Sequence, residues 1–171
     1  MGKRATLSHL DDRGQARMVD VSAKPATLRH AVAEGYVVMQ PATLRLLRAG
    51  GGPKGEVLGV ARVAGIMAAK RTGELIPLCH PLPVEQVTVD FAAAPARRGR
   101  PSRVRMVATA TITARTGVEM EALAAVCLAG LTIIDMLKAV DRHMRLEGVR
   151  VIAKEGGTHD FAAAAPGRRR R

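Results

Sequence analysis

Aromatic side chains are nearly missing from these 171 residues: there is one Tyr, two Phe and no Trp. A surface that holds single-stranded nucleic acid by base stacking needs such rings, so their scarcity argues against one. The interior is left to Val, Ile, Leu, Met and Ala, which bury less area per residue, and association with further copies would help to cover it. Cysteine is scarce as well. Cys79 and Cys127 stand 48 positions apart in apolar contexts, which gives neither a disulfide framework nor zinc-ligand spacing and fits a reducing cytoplasm. No apolar N-terminal leader is seen, and the longest uncharged run, Ala122 to Ile134, has 13 residues, against the roughly 20 that span a bilayer. The expectation is a soluble, cytoplasmic protein with no membrane partner.

Acidic residues are outnumbered, 15 against 27 Lys and Arg, for a net charge of +12. Such an excess points to a polyanionic partner: nucleic acid, a membrane surface or a phosphorylated small molecule. Position decides how much it means. Arg168 to Arg171 form a tail, and Arg97, Arg98, Arg100, Arg103 and Arg105 cluster around Gly99 and Pro101. Both sets read as solvated tail and loop. The cations beside apolar structure are Lys54, Lys70, Arg71, Lys138 and Lys154. Hydrophobic residues make up 47% of the chain, enough for one core. The reading is a flexible segment over 1–17, a single domain over 18–161 and a flexible basic tail over 162–171.

Pro25 opens a short predicted helix, Ala26 to Ala33, closed by Gly35, and Tyr36 to Met39 reads as a buried strand. Pro41 and Gly50 bracket a second helix, Ala42 to Arg48. Val57 to Arg71 is an Ala-rich helix ending in cations, and the three prolines between Leu75 and Pro83 exclude regular structure there. A strand begins at Val84. The next is clearer, with Val104, Met106, Ala108, Ala110 and Ile112 alternating against polar neighbours. Thr116-Gly117-Val118-Glu119 has the form of a capping box for a long helix reaching Lys138, apolar all the way round and so covered on more than one side. Met144 to Ile152 supplies a last strand. The order strand, helices, strand, strand, helix, strand predicts an α+β fold with a split βαβ arrangement: a four-stranded antiparallel sheet with helices on one face. The other sheet face, carrying Val and Ile, would be an apolar patch that further subunits close over.

Chemistry concentrates in three places. The loop Leu75 to Leu82 presents His80 between flanking prolines; a satisfied structural histidine is the plainer alternative. Cys79 beside it reads as a packed thiol. Glu119 serves as the capping residue, whereas Glu121 has no such simple explanation. Asp135 and Lys138 share a helix face, where a surface ion pair is the default. Because Asp135 follows 13 uncharged residues, it is expected to be partly buried, with carboxylate and ammonium shifting each other's protonation and dividing base and acid duties. Glu121 and Asp135 are 14 positions apart, roughly 21 Å along a helix, so a small substrate touching both needs two copies of the chain.

The segments Met18-Val19-Asp20-Val21-Ser22-Ala23-Lys24, Ala68-Ala69-Lys70-Arg71-Thr72, Leu75 to Leu82, Thr116 to Leu123 and Asp135-Met136-Leu137-Lys138-Ala139-Val140 closely resemble the cyclic pyranopterin monophosphate synthase family, the C proteins of molybdenum cofactor biosynthesis. The resemblance runs from about residue 18 to 161. It implies a lyase that converts (8S)-3′,8-cyclo-7,8-dihydroguanosine 5′-triphosphate to cyclic pyranopterin monophosphate and pyrophosphate, and a ferredoxin-like subunit in a homohexamer of three dimers. By motif, Asp135 corresponds to the acid/base, Lys54, Lys70 and Lys138 to lysines at the site, and Leu78, Cys79, His80, Glu119, Met120 and Glu121 to substrate-binding positions. Neutralising a triphosphate as pyrophosphate leaves is work for lysines. No metal ligand set and no required cofactor is expected; Mg²⁺ accompanying the triphosphate stays open, since no carboxylate cage is visible.

Two departures stand out. Gly50-Gly51-Gly52-Pro53 precedes Lys54, and the end reads Lys154-Glu155-Gly156-Gly157-Thr158-His159-Asp160-Phe161 where the family commonly has Gly-Gly-Lys-Ser-Gly. The alternative reading is a basic nucleic-acid-binding protein using its Arg-rich tail. No helix with a continuous basic face supports it.

Overall fold

The strand alternation read between Val104 and Ile112 is realised in a computed structural model that describes residues 13–97, 99–157 and 159–162. Most of the segments expected to be flexible, at 1–17 and 162–171, lie outside these residues, as do Arg98 and Thr158. Nine elements follow in order: β1 (Thr27–Val38), α1 (Pro41–Arg48), α2 (Val57–Lys70), α3 (Thr72–Leu75), β2 (Gln86–Ala94), β3 (Arg103–Ala114), α4 (Glu119–Leu137), β4 (Arg145–Glu155) and β5 (Phe161–Ala162). All neighbours pair antiparallel in the order β2-β3-β1-β4-β5. The sheet therefore has five strands rather than four, because Phe161 and Ala162 add a short ribbon to the end of β4.

The largest difference from expectation lies in β1, whose first half was predicted helical. Ala31, Ala33 and Val37 alternate into the core, each at most 1% exposed. Pairing with β3 on one side and β4 on the other supplies hydrogen bonds along the segment, and that tertiary gain overrides the helix preference of an Ala-containing stretch. On β3, Val104, Met106, Ala108, Ala110 and Ile112 turn to the same side. Helix α4 lies over them, with α2 packed against it, so the core is a layer of small and branched aliphatics. Gly65 makes that packing close: a Cβ there would sit 2.8 Å from the Ala125 carbonyl oxygen, so only glycine lets the two helix backbones approach this far.

The opposite sheet face is not the apolar patch anticipated from Val and Ile. At its centre Glu34, 4% exposed, accepts hydrogen bonds from Arg105 Nε at 2.9 Å, Arg150 Nε and Nη2 at 3.0 and 2.7 Å, and the Tyr36 hydroxyl at 3.1 Å. Arg103 lies 4.1 Å over the Tyr36 ring. Arg103 and Arg105 thus belong to a strand rather than to a solvated loop, and they make the face charged. The helix layer carries a group of exposed apolar side chains, Val60, Val63 and Met67 on α2 and Leu131 on α4, while on the strands Leu28 and Phe161 are exposed.

Helix α4 has the length and hydropathy of a membrane span by composition alone, contrary to the estimate drawn from its uncharged run. It packs against β1, β3, β4 and α2, and Ala122, Ala125, Val126, Ala129 and Ile133 are fully buried. At its far end Asp141, 2% exposed, accepts from the Gln40 amide at 2.8 Å, the Thr43 hydroxyl at 3.0 Å and the His143 amide at 3.1 Å. One carboxylate therefore holds the residue just ahead of α1 and the Thr43 side chain within it, and ties the β1–α1 junction to the α4–β4 junction.

Candidate functional site

The two ends of α4 carry most of the residues singled out from the sequence. At the N-terminal end the capping box does not form: Val118 is the cap residue, with no side-chain hydrogen bond, and Thr116 plays no capping part. Glu119 reaches instead to Lys154 on β4, Nζ to Oε1 2.8 Å. Burial works to raise the Glu119 pKa, but the Lys154 ammonium and a hydrogen bond from its own amide outweigh it and hold the carboxyl below its usual range.

Leu78, Cys79, His80, Glu119 and Met120 come together around a cavity of about 670 Å³ whose remaining wall includes Val19, Val21 and Lys24. His80 Nε2 is 2.9 Å from the Val19 carbonyl oxygen. A neighbouring cavity of about 280 Å³ shares Lys24, Thr116, Gly117 and Glu119 with the first and adds Arg29, His30, Arg115, Lys154 and His159. Arg29 is fixed there by bonds to the Ala114 and Arg115 carbonyls. The turn after β4 folds against the same region because Gly156, at φ +86°, passes so close to the Leu28 carbonyl that no Cβ fits.

Glu121 lines neither cavity. It is 1% exposed beneath the loop, and its Oε2 has no hydrogen-bond partner among the described residues. The Cys79 thiol lies 3.8 Å from Oε1. Burial raises the pKa of both groups, and the carboxylate raises the thiol further, so Cys79 is a packed, protonated thiol as its apolar context suggested. Lys70, in the last turn of α2, lines neither of these cavities and borders a separate one with Pro81 and Leu82.

At the C-terminal end, Asp135 is bracketed. Lys54 Nζ stands 2.6 Å from Oδ2 and Lys138 Nζ 2.6 Å from Oδ1. Hydrogen bonds from Lys138 and then Lys54 lower its pKa to about 2. The expected partial burial is not found: the Asp135 side chain is 53% exposed, because the helix ends there and opens to solvent. What shifts the carboxylate is two ammonium groups, one of them 81 positions away and not readable from local spacing.

Within one chain, then, the structure assembles Lys54, Asp135 and Lys138 at one end of α4 and Leu78, Cys79, His80, Glu119 and Met120 at the other. Arg29 and Arg115 were missed in the sequence, Arg29 because it lay inside a segment read as helix. With strand alternation and the adjacent Thr116 turn taken together, both would have stood out as cations at the mouth of α4. Among the described residues no group of three or more His, Cys, Asp or Glu is arranged to hold a metal ion.

Adjoining cavities walled by Lys, Arg and His, and an α4 carboxylate clasped by Lys54 from the loop before α2 and by Lys138, give this α+β domain a site whose charge suits an anionic ligand. Residues 18–157 match the MoaC family, and the chain belongs to that family. Similar proteins include a cyclic pyranopterin monophosphate synthase of Chloroflexus aggregans, 60% identical over 151 residues that make up 88% of this chain and 89% of the relative. Another, from Thermomicrobium roseum, is 57% identical over 153 residues, 90% of each chain. A third, from a Methylobacterium species, is 55% identical over 162 residues, 95% of this chain and 99% of the relative.

Proposed function

We propose that this chain is a lyase of molybdenum cofactor biosynthesis that converts (8S)-3′,8-cyclo-7,8-dihydroguanosine 5′-triphosphate to cyclic pyranopterin monophosphate and pyrophosphate. The observation that carries the reading is the Lys54–Asp135–Lys138 clasp. In the cyclising step a substrate hydroxyl attacks the α-phosphorus, a new P–O bond forms, the P–O bond to the β-phosphate breaks, and pyrophosphate leaves with its charge neutralised by cations. Lys54 and Lys138 are free to exchange their carboxylate for phosphate oxygens. As they do, Asp135 loses the two ammonium neighbours that depress its pKa and becomes a better base for the hydroxyl proton. Docking of the anion therefore switches on the group that acts next.

The second cluster supplies the rest of the pocket. Lys24, Arg29, Arg115 and Lys154 suit further phosphate oxygens, while Leu78, His80 and Met120 offer a partly apolar slot for the purine-derived rings, with Lys70 at the separate cavity beside Pro81 and Leu82. Because the two clusters sit at opposite ends of a 19-residue helix, the working site combines the clasp of one copy with the cavity of another. The strand order supports a ferredoxin-like subunit, and the exposed apolar face of α2 and α4 supports assembly with further copies, as a hexamer of three dimers in the cytoplasm. No resident cofactor is required, any Mg²⁺ arriving with the triphosphate, and nucleic acid and membrane are not partners.

The test is pyrophosphate release from the cyclic dihydro-GTP substrate by the full chain. Release by the wild-type protein and its loss in a folded Asp135→Asn variant are expected; turnover at the wild-type rate in that variant would falsify the role given to Asp135. Mixing Asp135→Asn chains with His80→Ala chains should restore part of the activity, and a mixture that stays inactive refutes the shared site.

A further inference from the structure

We infer that His80 receives its ligand through Nδ1 acting as a hydrogen-bond acceptor, its tautomer fixed by the main chain at Val19. This rests on the proposed function for the identity of the ligand, though not for the tautomer itself. Nε2 lies 2.9 Å from the Val19 carbonyl oxygen. A carbonyl oxygen only accepts, so the hydrogen of that bond belongs to Nε2. A neutral imidazole carries one N–H, which leaves Nδ1 with a lone pair. Since Nε2 is engaged, Nδ1 is the ring nitrogen left for a molecule in the cavity that His80 lines with Val19, Lys24, Glu119 and Met120.

The surroundings make this a held arrangement. Pro77, Pro81 and Pro83 stiffen the loop, the Cys79 amide bonds the Ile76 carbonyl at 3.0 Å, and the Cys79 thiol rests on buried Glu121. Val19 comes from the segment ahead of β1, which also contributes Val21 and Lys24 to the same wall. That segment is thus a positioning element whose backbone acts through His80. An acceptor at Nδ1 selects for a ligand N–H or O–H, the ring N–H and exocyclic amine of a guanine-derived system being the chemical class that fits. A deprotonated ring edge, offering only lone pairs, would be rejected.

Asparagine places its amide oxygen near the Nδ1 position, and glutamine places its own near Nε2. In the full chain, His80→Asn is expected to keep kcat/KM within about tenfold of wild type, while His80→Gln loses about a hundredfold, mostly through KM, as one substrate hydrogen bond is removed. A Gln variant equal to or better than the Asn variant overturns the proposal. Long-range ¹H–¹⁵N spectra of histidine-labelled wild-type protein, followed to a pH where the ring is neutral, should show a protonated Nε2 and a bare Nδ1. The reverse pattern overturns the assignment. Absence of any turnover in the wild-type protein would count against the proposed function alone, because the spectra report the tautomer without it.

Discussion

One helix carries carboxylates at both ends, and they have opposite fates. Glu121, in the first turn of α4, is buried, its Oε2 unpartnered among the described residues, and its pKa is raised by loss of solvent. Asp135, in the last turn, is half exposed, clasped by two lysines and lowered to about 2. The helix dipole alone would favour the charge on Glu121 and disfavour it on Asp135. The observed order is the reverse, so desolvation and direct ammonium contacts outweigh the dipole at both ends. The buried group is closed off beneath the loop, and the solvated group is the one open to a ligand.

The strongest way to break this contrast is Asp135→Asn, which should lower pyrophosphate release about a thousandfold while the state of association and the thermal midpoint stay as in wild type, as seen by kinetics and scattering. Lys154→Ala comes next. It removes the counter-ion of half-buried Glu119, should raise that carboxyl's pKa in a ¹³C titration, and should cost about tenfold in kcat/KM.

At the buried end the expected effect is on stability. A raised folded pKa means that the Glu121 contribution is fully present below the ordinary value of 4.5 and is lost as pH rises through the folded value. Glu121→Gln removes that loss, so its thermal midpoint at pH 8 should exceed wild type by about 3 °C, for about 1 kcal/mol, with the gap closing toward pH 4. A constant gap across that range would show that ionisation of Glu121 is not the cause. The smallest effect belongs to the clasp: Asp135 contributes stability above its ordinary 3.8 that fades as pH falls toward about 2. Because the clasp is exposed, Lys54→Ala and Lys138→Ala should each leave the denaturant midpoint at pH 7 close to that of wild type.

Much of the helical layer could be read from the chain. The predicted helix from the Thr116 turn to Lys138 is found as Glu119–Leu137, and Ala42 to Arg48 is found one residue longer, as Pro41–Arg48. These segments announce themselves through local patterning. The first half of β1 does not, because its strand character comes from two partners far away in sequence, Ala114 to Val107 on one side and Glu155 to Arg150 on the other. The site divides the same way. Asp135 with Lys138 is a matter of helical spacing, whereas Lys54 joins them only through the packing of the loop before α2, where Gly52 lies against Val57 and Leu137. The capping box failed for a related reason: Glu119 is drawn away from the helix start by Lys154, 35 positions on.

The buried carboxylate of Asp141 bears on how the clasp works. By locking the chain ahead of α1 to the turn just after Lys138, it holds the approach to the glycine-rich loop and the exit of α4 in one frame. Lys54 and Lys138 consequently face each other across Asp135 before any ligand arrives. Under the proposed function, an incoming phosphate would meet cations whose separation was set during folding, and the freedom surrendered on docking would be confined to the two side-chain tips.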